Sequence, residues 1–250
     1  MTFDPIHQFE IHDLVPLFKL AGRQIHFTNS AFYMFVSVAL TALLMLVPTR
    51  GRRLVPTRLQ SFAEVIYEFV ANMIRSTTGE DGMKFFPFVF SLFMFILISN
   101  VVGIIPYTFT VASQIIITAS LALLVFCTVI AYGFYKNGLG FFKMFVPEGA
   151  PIFILPLITL IEIISFFARP ISHSVRLFAN MLAGHMTLNV FATVVIMLGS
   201  VGVAGWLASV VPLALTVALT ALELVVAVLQ AYVFAILTCI YLRDAVHPGH

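Results

Sequence analysis

The sequence predicts an all-α, polytopic membrane protein, and three observations carry that expectation. Of 250 residues, 61% are hydrophobic and only 10% are charged, where a soluble domain carries about a quarter charged. Apolar runs long enough to cross a bilayer recur, as from Phe85 to Pro106. Charge is also confined. No charged residue lies between Lys84 and Lys136, and only four lie between Glu148 and Arg243: Glu162, Arg169, Arg176 and Glu223. Residues 1–250 therefore read as a single membrane domain, with no room for a soluble catalytic domain of ordinary size.

The N-terminal segment, residues 1–26, is too polar to span and lacks the basic-then-apolar order of a cleavable signal. Phe27 to Val47 is the first span. Arg50, Arg52, Arg53 and Arg58 follow it, and arginines beside a span favour the cytoplasmic face, with the N-terminus opposite. From Leu59 to Ser76, Leu59, Phe62, Ile66, Phe69, Val70 and Met73 recur at helical spacing, with Glu64, Glu68, Asn72 and Arg75 on the other side. This is an amphipathic helix, on the membrane surface or packed against other subunits. Phe85 to Pro106 and Val111 to Tyr135 are two further spans joined through "IIPYTFT", and Lys136 and Lys143 return the chain to the arginine-rich side. "PEGAP" at 147–151 signals a turn. Cys127 and Cys239 sit in apolar runs and read as packing residues, not as a disulfide framework.

The remaining chain, residues 152–242, holds two long apolar stretches, Ile152 to Leu198 and Trp206 to Leu242, separated by "GSVGVAGW". As helices each would reach roughly 55 to 70 Å, against a hydrocarbon core of about 30 Å. Each stretch either breaks into two spans or forms one strongly tilted helix. No convincing turn interrupts either, although Pro156, Pro170 and Pro212 can start or kink a helix. The expected arrangement is a hairpin of two long tilted helices.

Both stretches carry polar residues in register. Advancing about 100° per residue from Glu162, the residues Arg169, His173, Arg176, Asn180 and Thr187 fall within about 60° of one another. His185 lies about 140° away and points elsewhere unless the helix bends. On the second stretch Thr216, Thr220, Glu223, Gln230, Thr238 and Tyr241 form a similar stripe. A charge at mid-bilayer costs about 2.5 to 3.5 kcal/mol or more, so it must face a partner or water. Arg176 either pairs with Glu223 or Glu162 to hold helices together, or lines an ion path. An arginine does not relay protons, whereas histidine and glutamate do. His185 and Glu223 are therefore candidate carriers and Arg176 a candidate barrier, with Asn180 and Gln230 as uncharged hydrogen-bonding groups. Arg169 and His173 are possible further members. No GxxxxGK[ST] phosphate loop and no clustered metal-ligand motif occurs, so neither a metal nor a cofactor is expected, and no nucleic-acid partner.

At "SVRLFANMLAGH" the chain resembles the subunit a family of the proton-translocating F-type ATP synthase. Arg176, Leu177, Phe178, Asn180, Met181, Ala183 and Gly184 stand where that family has RLFxNMxAG. "LELVVAVLQAYVFAILTCIYL", residues 222–242, is similar to the family's final helix, with its glutamine at Gln230. "DPIHQFEIHDL" and "SNVVGIIPYTFT" extend the likeness over the whole chain.

The resemblance implies a stator subunit that does no ATP chemistry itself. Two long, nearly horizontal helices would curve round a rotating ring of c subunits, with b-type subunits of the peripheral stalk and the rest of the synthase as further partners. Arg176 would face the ring's carboxylates between two offset proton half-channels. Asn180, His185, Glu223 and Gln230 match positions of those channels, and Glu162 matches a glutamate linked to the cytoplasmic side. Many bacterial members have glutamate where His185 stands and histidine where Glu223 stands. The exchange found here resembles mitochondrial members and points to an alphaproteobacterial or mitochondrial source, with a bacterial inner membrane preferred. The N-terminus is then periplasmic and the C-terminus cytoplasmic. The rival readings are a stand-alone channel or secondary transporter, which would be expected to show internal repeats, and a purely structural anchor.

Overall fold

The computed structural model describes residues 10–20, 23–49, 56–105, 108–146, 153–200 and 202–246. Arg50, Arg52, Arg53 and the "PEGAP" turn lie outside the described residues. The order is strand β1 (Asp13–Leu20), strand β2 (Arg23–Thr28), then helices α1 (Asn29–Thr49), α2 (Arg58–Thr78), α3 (Phe86–Ile104), α4 (Ile115–Asn137), α5 (Leu155–Gly199) and α6 (Val203–Val246). Five helical segments are long and apolar enough to cross a membrane, as the all-α membrane reading requires.

The non-spanning N-terminal segment holds a β-hairpin that the sequence reading did not anticipate. β1 and β2 pair antiparallel from Asp13 opposite Thr28 to Leu20 opposite Arg23, with two register irregularities. β2 runs straight into α1. There Thr28 Oγ1 accepts the Ala31 amide at 3.3 Å, a capping bond that satisfies a free helix-head donor. The buried residues of α1 are Ser30 and Ser37, while Phe35, Leu43 and Leu46 are exposed. Small residues inside and large apolar ones outside suit a helix whose outer solvent is lipid.

Thr57 caps α2 by accepting the Gln60 amide, and Gly79 ends it at φ 76°, a conformation that favours glycine. The apolar sector of α2 is wider than one contact. Val70, Ala71, Met73 and Ile74 are buried, whereas Leu59, Phe62 and Phe69 stay 64%, 53% and 46% exposed. Among the described residues one flank is covered, with Phe69 against Phe93 and Tyr232 at its edge, and Leu59 and Phe62 stand open to lipid or another subunit.

Each of the two long stretches forms a single helix. α5 has 45 residues and runs through Pro170, and α6 has 44 and runs through Pro212. Pro156 stands in the first turn of α5, where its missing N–H costs nothing. A helix of that length measures about 67 Å, more than twice the ~30 Å core.

The chain divides into two compact units, and α5 and α6 run through both. The first takes residues up to Leu43, Phe95–Gln114 and Leu177–Gln230. There the buried Asn100 of α3 donates from Nδ2 to the Ala227 carbonyl of α6 at 3.3 Å. The second takes Leu44–Met94, Ile115–Arg176 and the chain from Ala231. Its core is aromatic: Phe166 of α5 meets Phe126, Phe141 and Phe145 at ring-centroid distances of 5.0, 6.2 and 5.3 Å. Thr78 donates to the Cys239 carbonyl at 3.2 Å and Asn137 to the Ala245 carbonyl at 2.7 Å, tying α2 and α4 to the end of α6. Cys239 is buried as a packing residue, but Cys127 is exposed on α4, and both are free thiols.

Candidate functional site

The site residues are sorted by how burial winds along α5. The buried positions there include Phe166, His173, Leu177, Met181 and His185. From His173 onward they recur every fourth residue. A helix repeats every 3.6 residues, so a four-residue spacing shifts the buried line by about 40° at each step. By His185 it has moved a third of a turn. This corrects the single stripe expected from a fixed wheel. His173 and His185 are both buried, while Arg176 and Asn180 are exposed and Arg169 and Glu162 are half-buried.

In the first unit, the buried line of α5 brings His185 to α6. His185 Nδ1 lies 3.6 Å from Glu223 Oε1, and the two side chains are 6% and 5% exposed. His185 Nε2 lies 3.0 Å from the hydroxyl of Thr110, on the link between α3 and α4. Gly184, immediately before His185, makes room for the acid: a Cβ there would stand 2.7 Å from Glu223 Oε1. One turn and a residue earlier on α5, Asn180 donates from Nδ2 to Gln230 Oε1 at 2.9 Å. Two polar pairs, His185–Glu223 and Asn180–Gln230, thus join the long helices with antiparallel spacing. The arrangement holds an imidazole against a carboxyl in an apolar shell, as an acid–base relay requires.

In the second unit, Arg169 is the centre of an ion triad. Its guanidinium reaches Asp244 Oδ2 at 2.9 Å and Glu162 Oε1 at 3.4 Å. It also stands over the rings of Tyr241, 5.1 Å from the centroid, and Phe166, at 5.7 Å, a cation–π geometry that suits arginine. His173 is set edge-on to the Phe234 ring at 3.8 Å, and it lines a small cavity with Arg169, Pro170 and Tyr241. Arg176 differs from all of these. It is exposed in the middle of an apolar helix, and it makes no ion pair among the described residues. The two carboxylates expected as its partners, Glu162 and Glu223, face Arg169 and His185 instead.

The threonines of the stripes serve their own backbone. Thr187, Thr216, Thr220 and Thr238 each donate to the carbonyl four residues back at 2.7 to 2.9 Å. Two contributors were not singled out from sequence. Asp244 sits two residues past the last apolar run, where an acid reads as solvated tail. Thr110 belongs to "YTFT", a segment that reads only as a turn. Three or more His, Cys, Asp or Glu side chains placed to hold a metal do not occur among the described residues.

Residues 31–243 match the family model of the ATP synthase A chain. The chain is 69% identical, over all 250 residues and the whole of the relative, to ATP synthase subunit a of Rhodopseudomonas palustris strain TIE-1. It is 66% identical over 247 residues, 99% of each chain, to ATP synthase subunit a of Nitrobacter winogradskyi. With the five apolar spans and the polar pairs between its long helices, the chain belongs to the ATP synthase A chain family, the non-catalytic, proton-translocating stator subunits that work beside the other subunits of the F-type synthase in the bacterial inner membrane.

Proposed function

We propose that Arg176 is the fixed positive charge that meets the carboxylates of a rotating c-subunit ring, between two proton half-channels. In this reading His185 and Glu223 carry protons between the periplasmic side and the ring. The observation that carries it is the exposure of Arg176 on an apolar helix, with no carboxylate paired to it among the described residues. A mid-bilayer charge costs about 2.5 to 3.5 kcal/mol or more unless something meets it, and a partner on another chain supplies what this one withholds. An arginine does not relay protons, so Arg176 acts by charge alone. It holds a passing carboxylate ionised and bars direct leakage. The buried imidazole and carboxyl pass the proton on in short steps between adjacent groups, so that no hydrated ion has to cross apolar packing. Asn180 and Gln230 offer donors and acceptors beside that path, and Glu162, with Arg169, Asp244 and His173 near it, serves the cytoplasmic outlet.

Each proton crossing 100 mV supplies about 2.3 kcal/mol to turn the ring. The N-terminus is periplasmic and the C-terminus cytoplasmic, and the exposed flank of α2 at Leu59 and Phe62 is where a b-type stalk subunit docks. The test is Arg176→Ala in the assembled synthase, scored by ATP synthesis under an imposed proton gradient. Loss of coupled synthesis with the complex intact is expected. Wild-type synthesis by that variant rejects the reading.

A further inference from the structure

We propose that Thr110 is a positioning residue for proton transfer: its hydroxyl fixes the orientation and tautomer of His185 so that Nδ1 faces Glu223. The inference rests on the reading of His185 and Glu223 as a proton relay, and it adds a third group that sets the direction of the imidazole.

Three features of the site carry it. Thr110 is fully buried, and its Oγ1 stands 3.0 Å from His185 Nε2. The same oxygen lies 3.4 Å from the Gly103 carbonyl, which can only accept. We assign the threonine proton to Gly103, the partner that can only accept, which leaves an oxygen lone pair for the imidazole. A neutral imidazole has one N–H and one bare nitrogen, and the hydrogen bond made by one fixes the state of the other. With Nε2 donating to Thr110, Nδ1 is bare and lies 3.6 Å from Glu223 Oε1. A proton on the Glu223 carboxyl then has an acceptor 3.6 Å away, just outside hydrogen-bond reach, and a small side-chain movement closes the gap. Transfer turns the carboxyl into carboxylate and the imidazole into imidazolium, and the reverse step restores both. A 180° flip of the ring about Cβ–Cγ would set Cε1 where Nε2 stands and break the bond to Thr110.

Close packing holds Thr110 in this place. A Cβ on Gly103 would approach the Thr110 methyl, Cγ2, to 2.8 Å, so glycine at 103 lets α3 sit against the threonine. Thr110 is β-branched and stiff at χ1, which keeps the hydroxyl aimed. Across the pair Gly184 does the same for the acid.

The test uses the assembled synthase with Thr110→Val, which keeps the shape and removes the hydroxyl, and Thr110→Ser, which keeps the hydroxyl. Proton-driven ATP synthesis should fall about tenfold in the valine variant, in the range that loss of one buried hydrogen bond gives. Serine should restore it to within about twofold. In a His185→Ala background, Thr110→Val should slow synthesis no further, since both act through one imidazole. A wild-type rate for Thr110→Val beside a slow His185→Ala overturns the assignment of Thr110 alone. A wild-type rate for His185→Ala overturns the relay reading itself. Equal slowing by valine and serine, or additive slowing with His185→Ala, reduces Thr110 to a packing residue.

A second measurement does not depend on any Thr110 variant assembling. Solid-state nitrogen NMR of the wild-type complex with labelled histidine, assigned by subtraction of the His185→Ala spectrum, should show neutral His185 protonated at Nε2. Protonation at Nδ1 in the neutral form overturns the proposal.

Discussion

Gly184 and Glu223 occupy complementary space: a Cβ on the glycine would lie 2.7 Å from the carboxyl oxygen that faces His185. What such a Cβ meets is the far end of a flexible side chain, so α5 and α6 need not part to admit it. Gly184→Ala should leave assembly of the synthase near wild type and slow proton-driven synthesis about tenfold, because a displacement near an ångström is large for a proton-transfer geometry. Gly133→Ala is the contrast. Its Cβ would run into the ring of Phe141, and a ring packed among Phe134, Phe145 and Phe166 cannot swing aside. That variant should lose about 1 to 3 kcal/mol of stability, read as a lower melting temperature or yield of the complex, with specific activity retained by what assembles.

The His185–Glu223 pair should behave as one acid–base unit. His185→Ala or Glu223→Ala should reduce proton flux by roughly 10²-fold or less, the lower end of what a single positioned acid or base contributes, and less severely than Arg176→Ala. The exchanged double variant, His185→Glu with Glu223→His, should run faster than either single exchange. A carboxyl and an imidazole still meet in it, whereas each single exchange sets like against like. Proton pumping in inverted vesicles measures all of these, and a double exchange slower than both singles would separate the two residues.

The architecture was legible before any coordinates. Five runs of lipid-compatible length, the absence of a turn in the two longest, and the helical phase of residues 59–76 fix which segments are helices. The hairpin at Asp13–Thr28 was not, because a short mixed stretch gives no period strong enough to separate strand from loop. The site was legible in its residue types, less so in its grouping. A fixed wheel puts His173 with Arg176 and sets His185 apart. Burial steps along α5 by four residues and so turns with the chain, and this is what brings His185 to Glu223 and leaves Arg176 outside. Asp244 and Thr110 stayed hidden for a different reason. Their partners are 75 residues away in each case, and single-chain periodicity carries no such distance.

The Arg169 triad is a stability element as well as a neighbour of the proposed outlet. Asp244→Asn should weaken it by about 1 to 3 kcal/mol, since the half-buried guanidinium keeps Glu162 and the Tyr241 ring but loses a charged acceptor. Arg169→Lys should recover only part, because an ammonium cannot serve two carboxylates and stack on a ring together. Thermal inactivation of the detergent-solubilised synthase reads both. Equal stability of Asp244→Asn and wild type would show that the pair is incidental.

The account turns on what Arg176 faces, and the most direct measurement is the structure of the assembled membrane sector with its rotor ring present. The guanidinium of Arg176 should lie within about 4 Å of a rotor carboxylate, the reach of an ion pair, or be bridged to it by one water, in at least one rotary position. A guanidinium that faces lipid or a carboxylate of its own chain in every rotary position would contradict the account.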